Sequence, residues 1–198
     1  MTDSPIKVID NFLPQDVFRY MAFNLMTIDS YRCHDFTTFD NEGDGSIEWF
    51  GERNTNGDLA NKMHEILFVS QVYVRNHNRE LIQDIYHLLR KEFTVLYEKL
   101  NVKKMLLMRT NCTHAAPENF LSKWHTDLGD HPDQGKSKTC ILYLNRNNGG
   151  TKFKESGEFV QSQPNRAVIF DGELEHAGVW CTDQKLRFVL NINYTEKT

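Results

Sequence analysis

Trp124-His125-Thr126-Asp127 places an imidazole and a carboxylate two positions apart, and a second imidazole, His176, follows about fifty residues later. In an extended strand alternate side chains share a face, so His125 and Asp127 can reach one cation together. Coordination needs neutral imidazoles and an ionised carboxylate, and these residue types supply both near pH 7. Two imidazoles and one carboxylate on one face of an octahedron leave the opposite face open, which suits non-haem Fe(II) activating oxygen. The competing reading is an ordinary solvated His-Asp turn, because the chain holds eight histidines.

Arg187, eleven positions beyond His176, adds a second chemical group. A guanidinium forks onto a carboxylate through two parallel hydrogen bonds and stays charged in almost any surroundings. Lying between Leu186 and Phe188, an inward-pointing arginine must find an anion or cost several kcal/mol. Its alternative is a surface arginine paired with Glu173 or Glu175. Two other cation sites compete. Asp40-Asn41-Glu42-Gly43-Asp44-Gly45 imitates the start of a calcium loop, but its twelfth position is Gly51, not the closing glutamate. His131 with Asp127, Asp130 and Asp133 crowds hard ligands into one loop, yet leaves His176 and Arg187 without a role.

The elements that must position these groups fall into two textures. Residues 1–103 read as mainly helical support. Ile6 to Phe12 looks like a short strand, and Pro14 opens a helix with Val17, Phe18, Met21 and Leu25 at helical spacing. Leu59, Met63, Ile66 and Leu67 suggest a second helix, and about Arg79 to Leu100 a third, with an apolar stripe. The polar, glycine-containing stretch from Asp35 to Asn56 reads as strand and loop, and Phe39–Gly51 is a candidate lid. Over 104–198 short apolar runs separated by turn residues replace the stripes: Met105–Met108, Thr139–Asn145, Phe159–Val160, Arg166–Phe170, Glu175–Val179 and Leu186–Tyr194. That spacing predicts a β-sandwich or barrel. The whole reads as one α+β domain with helices on one face of an antiparallel jelly roll.

Composition bounds the function classes. With 198 residues, 39% hydrophobic and 12% aromatic, the chain has material for a core. Its formal charge of −4 is interspersed, with no basic stripe for gripping nucleic acid by its phosphates. No apolar run approaches the eighteen or so residues of a membrane span. Cys33, Cys112, Cys140 and Cys181 are scattered, and with a polar opening Met-Thr-Asp-Ser they point to reduced thiols and a cytoplasmic setting.

Beyond the triad, a series of short stretches in fixed order carries a family likeness. They are Trp124–Asp127, Tyr143-Leu144-Asn145, Gly149-Gly150-Thr151-Lys152-Phe153, Pro164–Phe170, His176 and Arg187-Phe188-Val189-Leu190. Over about residues 104 to 195 the chain resembles the Fe(II)/2-oxoglutarate-dependent dioxygenases, particularly their prolyl-hydroxylase-like branch. The resemblance implies a double-stranded β-helix (jelly roll) with N-terminal supporting helices. His125, Asp127 and His176 would bind Fe(II). Arg187 would hold the distal carboxylate of the cosubstrate 2-oxoglutarate, and Tyr143 would support that carboxylate. Asn111, with Arg109 on the same face, would approach the cosubstrate near the metal. The glycine pair would permit a sharp bend between strands. The implied activity is O2-dependent hydroxylation of an unactivated C–H bond in a peptide, protein or amino acid. Trp49, Phe50 and Tyr73 are candidates to line the substrate's path. The alternatives are a nucleobase or nucleotide oxygenase on the same scaffold and a non-catalytic metal-binding jelly-roll module. The chain departs from the pattern at the polar insert Gly129–Gly135 and at Val189, where some relatives carry a hydroxyl.

Overall fold

The computed structural model describes residues 4–27, 32–33, 68–75, 88–119, 121–129 and 131–197. Ten strands run through them: β1 (Ile6–Ile9), β2 (Arg32–Cys33), β3 (Phe68–Arg75), β4 (Val102–His114), β5 (Lys138–Tyr143), β6 (Gly150–Phe153), β7 (Phe159–Gln161), β8 (Arg166–Asp171), β9 (His176–Val179) and β10 (Leu186–Glu196). Seven form one sheet in the order β1-β8-β5-β10-β4-β3-β2, and β7-β6-β9 form a smaller one. Every pairing is antiparallel. Two helices, α1 (Gln15–Thr27) and α2 (Arg90–Lys99), accompany them.

Strand parity divides the large sheet into two faces, since side chains alternate along a strand. Phe188, Leu190, Ile192 and Tyr194 of β10, with Met108, Cys112, Cys140 and Leu142, face the helices. There they meet Phe18, Met21 and Leu25 of α1 and Phe93 and Leu96 of α2. The helical spacing predicted for α1 is therefore what the core uses. The opposite face turns to the small sheet: Ile141, Tyr143, Val168, Phe170 and Val189 pack on Phe153 and Val160. A pair of sheets closed over one apolar layer is the sandwich arrangement that the short apolar runs required.

Helix α2 stops where Asn101 adopts φ +52, a left-handed conformation that asparagine tolerates, and the chain turns directly into β4. Asn165, at φ +62, ties the N-terminal segment to β8 by accepting from Leu13 N at 2.9 Å and donating to Leu13 O at 2.8 Å.

The described strands go beyond those expected. Among the described residues of the first hundred, β2 and β3 join the large sheet in addition to the expected strand β1. Residues 68–75, to which periodicity assigned nothing, form an eight-residue strand. Its content of Val69, Val72, Tyr73 and Val74 was the available signal, since β-branched and aromatic side chains suit a pleated surface. The glycine pair is needed for its missing side chains. Neither Gly149 nor Gly150 takes a positive φ, but an added Cβ would lie 2.5 Å from Val179 O or 2.2 Å from Val160 O. Space, not backbone angle, demands glycine there. The helix around Leu59–Leu67, the start of the helix expected from Arg79, the Asp35–Asn56 stretch with its calcium-like loop, and Trp49 and Phe50 lie outside the described residues.

Candidate metal centre

The two histidines meet because of backbone register. Residues 121–125 run antiparallel beside β9, with bridges Leu121 to Val179 and His125 to His176. His125 and His176 exchange both backbone hydrogen bonds, each at 3.0 Å, so their rings stand on one side with centroids 4.7 Å apart. Asp127 follows two residues later. The ligand atoms of His125, Asp127 and His176 all lie within 4.8 Å of one another, a group that could hold a metal ion. Among the described residues no other such group occurs.

Both imidazoles are held in one tautomer. His125 Nδ1 donates to Lys123 O at 2.9 Å, and His176 Nδ1 donates to Leu174 O at 3.1 Å. A carbonyl can only accept, so each Nδ1 carries the proton and each Nε2 keeps its lone pair for a cation. His176 Nε2 lies 3.6 Å from Asp127 Oδ2. Phe170 meets the His176 ring edge-on at 4.8 Å, and Phe153 flanks it at 6.3 Å, so the ring cannot swing away. Burial, together with the neighbouring His176, pushes the His125 pKa down to about 4. The site therefore presents a neutral His125 imidazole at neutral pH, the form a metal requires.

The Asp127 side chain is only 1% exposed, an expensive position for a carboxylate. Burial would raise its pKa, but His176, the Arg109 guanidinium, His125 and a hydrogen bond from Asn193 outweigh it and hold the group well below the usual carboxylate range. Each oxygen has its own donors. Oδ1 accepts from Asn191 Nδ2 at 2.8 Å and from Arg109 Nη2 at 3.3 Å. Oδ2 accepts from Asn193 Nδ2 at 3.1 Å and weakly from Thr139 Oγ1 at 3.4 Å. The sheet explains the convergence: Asn191 sits opposite Arg109 on β4, and Asn193 opposite Thr139 on β5, all on the face away from the helices.

A cavity of about 70 Å³ opens beside this cluster, lined by His125 and His176 together with Asn111, Thr113, Thr151 and Arg187. Arg187 is 5% exposed. Its Nη2 donates to Gly150 O at 2.9 Å, and the guanidinium lies 5.9 Å from the Tyr143 ring centroid. Arg187 Nε finds no hydrogen-bond partner, nor do Asn111 Oδ1 and Thr113 Oγ1. Among the described residues no carboxylate pairs with Arg187, and Glu175 instead meets Lys154 at 2.6 Å. Burial lowers the arginine's pKa, yet a guanidinium remains charged. Asn191 lies four positions along β10 from Arg187, about 13 Å of strand.

No family model matches the chain, and no curated protein matches it by sequence. Solved structures do match. An oxidoreductase of the 2OG-Fe(II) oxygenase family from Burkholderia pseudomallei aligns with a TM-score of 0.63 at 10% identity, over 99% of this chain and 87% of that one. The non-haem alpha-ketoglutarate-dependent epimerase SnoN of nogalamycin biosynthesis aligns with 0.59 at 10% identity, over 97% and 78%. A prolyl hydroxylase from Trichoplax adhaerens, in complex with a hypoxia inducible factor peptide fragment, gives 0.57 at 12% identity, over 98% and 84%. The chain has the fold of the 2OG-Fe(II) oxygenases. Its resemblance to their prolyl-hydroxylase-like branch, first carried by short motifs, thus extends to the backbone.

The other candidate residues, Tyr143 and Asn111, lie on β5 and β4. Tyr143 is fully buried, and its hydroxyl lies 2.9 Å from Thr151 Oγ1 and donates to Val160 O at 3.0 Å. Burial pushes its pKa up to about 12, so the phenol stays protonated. Asn111 lines the cavity, and Arg109 reaches Asp127. Of the loop set of His131, Asp127, Asp130 and Asp133, the three described members, His131, Asp127 and Asp133, do not form a metal-ligating group. Asp133 N donates to His131 Nδ1 at 3.0 Å, the Asp133 carboxylate pairs with Lys104 at 2.8 Å, and Asp130 lies outside the described residues. The polar insert is instead fastened to the barrel: Gln134 Nε2 donates to Gly172 O at 2.7 Å, and Gly172 N to Ser137 O at 2.9 Å.

The donors around Asp127 were the main omission. Asn191 and Asn193 were visible as polar positions in the Arg187 strand, and Arg109, Asn111 and Thr113 alternate likewise on β4. Polar residues at period two within an apolar strand are the signal that marks this face.

Proposed function

We propose that this chain is an Fe(II)- and 2-oxoglutarate-dependent oxygenase on a double-stranded β-helix with N-terminal supporting helices. It hydroxylates an unactivated C–H bond of a peptide, protein or amino acid. The observation that carries the reading is a cavity lined both by His125 and His176, two members of the His125-Asp127-His176 group, and by a buried arginine that no described carboxylate pairs with. The donor set is that of a facial triad, and the unmet hydrogen-bonding groups in the cavity call for a polar, anionic guest.

When bound, Fe(II) and 2-oxoglutarate supply the oxidising chemistry, consuming O2 and releasing succinate and carbon dioxide. The residues bind, orient and exclude. His125 and His176 would offer Nε2, their Nδ1 protons being committed to carbonyls. Asp127 would offer Oδ2, the oxygen nearest His176, while Asn191 and Arg109 retain Oδ1. Arg187 would neutralise and anchor the distal carboxylate. Tyr143, expected to support that carboxylate, is not among the residues lining the cavity, and its ring centroid lies 5.9 Å from the guanidinium. Phe153 and Phe170 keep water from the back of His176.

The peptide assignment draws on the Trichoplax prolyl hydroxylase, which was solved with a peptide fragment. A mass-spectrometric screen of peptides, amino acids and nucleotides with Fe(II), 2-oxoglutarate and O2 tests it. The expected result is a gain of one oxygen atom on a peptide or amino acid, with stoichiometric succinate. Equal succinate release by a His176→Ala variant would overturn the metal assignment, and oxygen gain confined to nucleotides would overturn the substrate class.

A further inference from the structure

One buried hydroxyl in the cavity is not used by the residues assigned above. Thr113 on β4 stands directly opposite Arg187 across the β4–β10 ladder, which puts both side chains on the same face. It is 3% exposed, lines the same cavity as Arg187, and its Oγ1 has no hydrogen-bond partner. Leaving a buried hydroxyl unsatisfied is destabilising, and a valine of nearly the same shape would avoid the penalty. No described residue satisfies Thr113 Oγ1, and the cavity that Thr113 lines is where a partner can enter.

The nature of that group follows from what surrounds it. Arg187 supplies positive charge, and its Nε is also unmatched. The neighbouring candidates are poorer donors toward an anion. Thr151 Oγ1 is already engaged with the Tyr143 hydroxyl at 2.9 Å, the unmatched atom of Asn111 is an oxygen that can only accept, and Val189 has no polar atom. We propose that Thr113 is a binding residue for the distal carboxylate: Arg187 takes the charge, and the Thr113 hydroxyl donates to a carboxylate oxygen. The adjacent strand thereby provides the hydroxyl that β10 lacks at position 189. This assignment rests on the 2-oxoglutarate reading and names the residue that makes the seat selective for a second carboxylate.

Calorimetric titration of the Mn(II)-loaded protein, which requires no turnover, tests it with two ligands of equal chain length. 2-Oxoglutarate carries the distal carboxylate, and 2-oxopentanoate ends in a methyl group. Thr113→Val should weaken 2-oxoglutarate about tenfold to a hundredfold, the range for a hydrogen bond to a charged group, and leave 2-oxopentanoate unchanged. Thr113→Ser should bind 2-oxoglutarate like the unaltered protein, and Thr113→Ala should repeat the selective loss. Undiminished 2-oxoglutarate affinity in both Thr113→Val and Thr113→Ala overturns the Thr113 assignment alone. Absence of 2-oxoglutarate binding by the unaltered protein overturns the function reading beneath it.

Discussion

Phe188, Leu190 and Ile192 of β10 pack among the side chains of two helices, whereas Arg187, Asn191 and Asn193, one residue out of phase, surround a buried carboxylate and a polar cavity. The same strand thus serves two incompatible environments. On the helix side the contacts are apolar and complete, and they contribute to stability in proportion to the area removed from water. On the cavity side polar atoms are held inside without full satisfaction, which costs stability and is the usual mark of a site built for a guest. Parity along a strand is enough to separate folding from chemistry within one ladder.

The largest expected effect comes from the carboxylate itself. Asp127→Asn preserves shape while removing the charge, so metal binding should be lost entirely, and the metal-free protein should also melt lower because Arg109 loses its buried partner. Retained binding in a Mn(II) titration followed by electron paramagnetic resonance would remove Asp127 from the site. Next, Leu190→Ala on the helix face should cost about 2–5 kcal/mol in urea unfolding, the usual range for a buried leucine. Its folded fraction should bind metal as before; a parallel loss of affinity would show that the two faces are not independent. Asn191→Leu should give the reverse profile. Releasing Oδ1 of Asp127 should weaken metal binding about tenfold to a hundredfold, as for other groups that orient a ligand, with stability nearly unchanged.

The smallest effect is a pH dependence. Folded His125 titrates at about 4, against an ordinary value of 6.5. Between those values the unfolded chain holds more protons on this residue than the folded chain does. The metal-free protein should therefore lose stability as pH falls from about 6.5 toward about 4. Urea midpoints at pH 7 and pH 5 should differ, and His125→Gln should narrow the gap. A gap of unchanged size would mean that other groups set the acid response.

Much of this was legible without coordinates. The H-x-D pair, the later histidine and the strand arginine depend on residue type and spacing, which survive any uncertainty about element ends. Helix α1 was readable because its apolar spacing is the spacing its core uses. Strand β3 was missed because its short run lacks clean alternation, and β6 because its glycines read as a turn. The Asp127 donors escaped because they come from three strands far apart in sequence.

By itself, then, the sequence determined the chemical inventory: which groups can ligate, which can hold an anion, and which of the apolar runs after residue 104 form strands. The tertiary structure decided the pairing. Register sets His125 against His176, Asn191 against Arg109 and Arg187 against Thr113. The physical reason is that ladder register is a long-range property, fixed by which faces can be buried together. A one-residue slip would leave every side chain in the sequence unchanged and turn Arg187 and the asparagines into the helix-facing core.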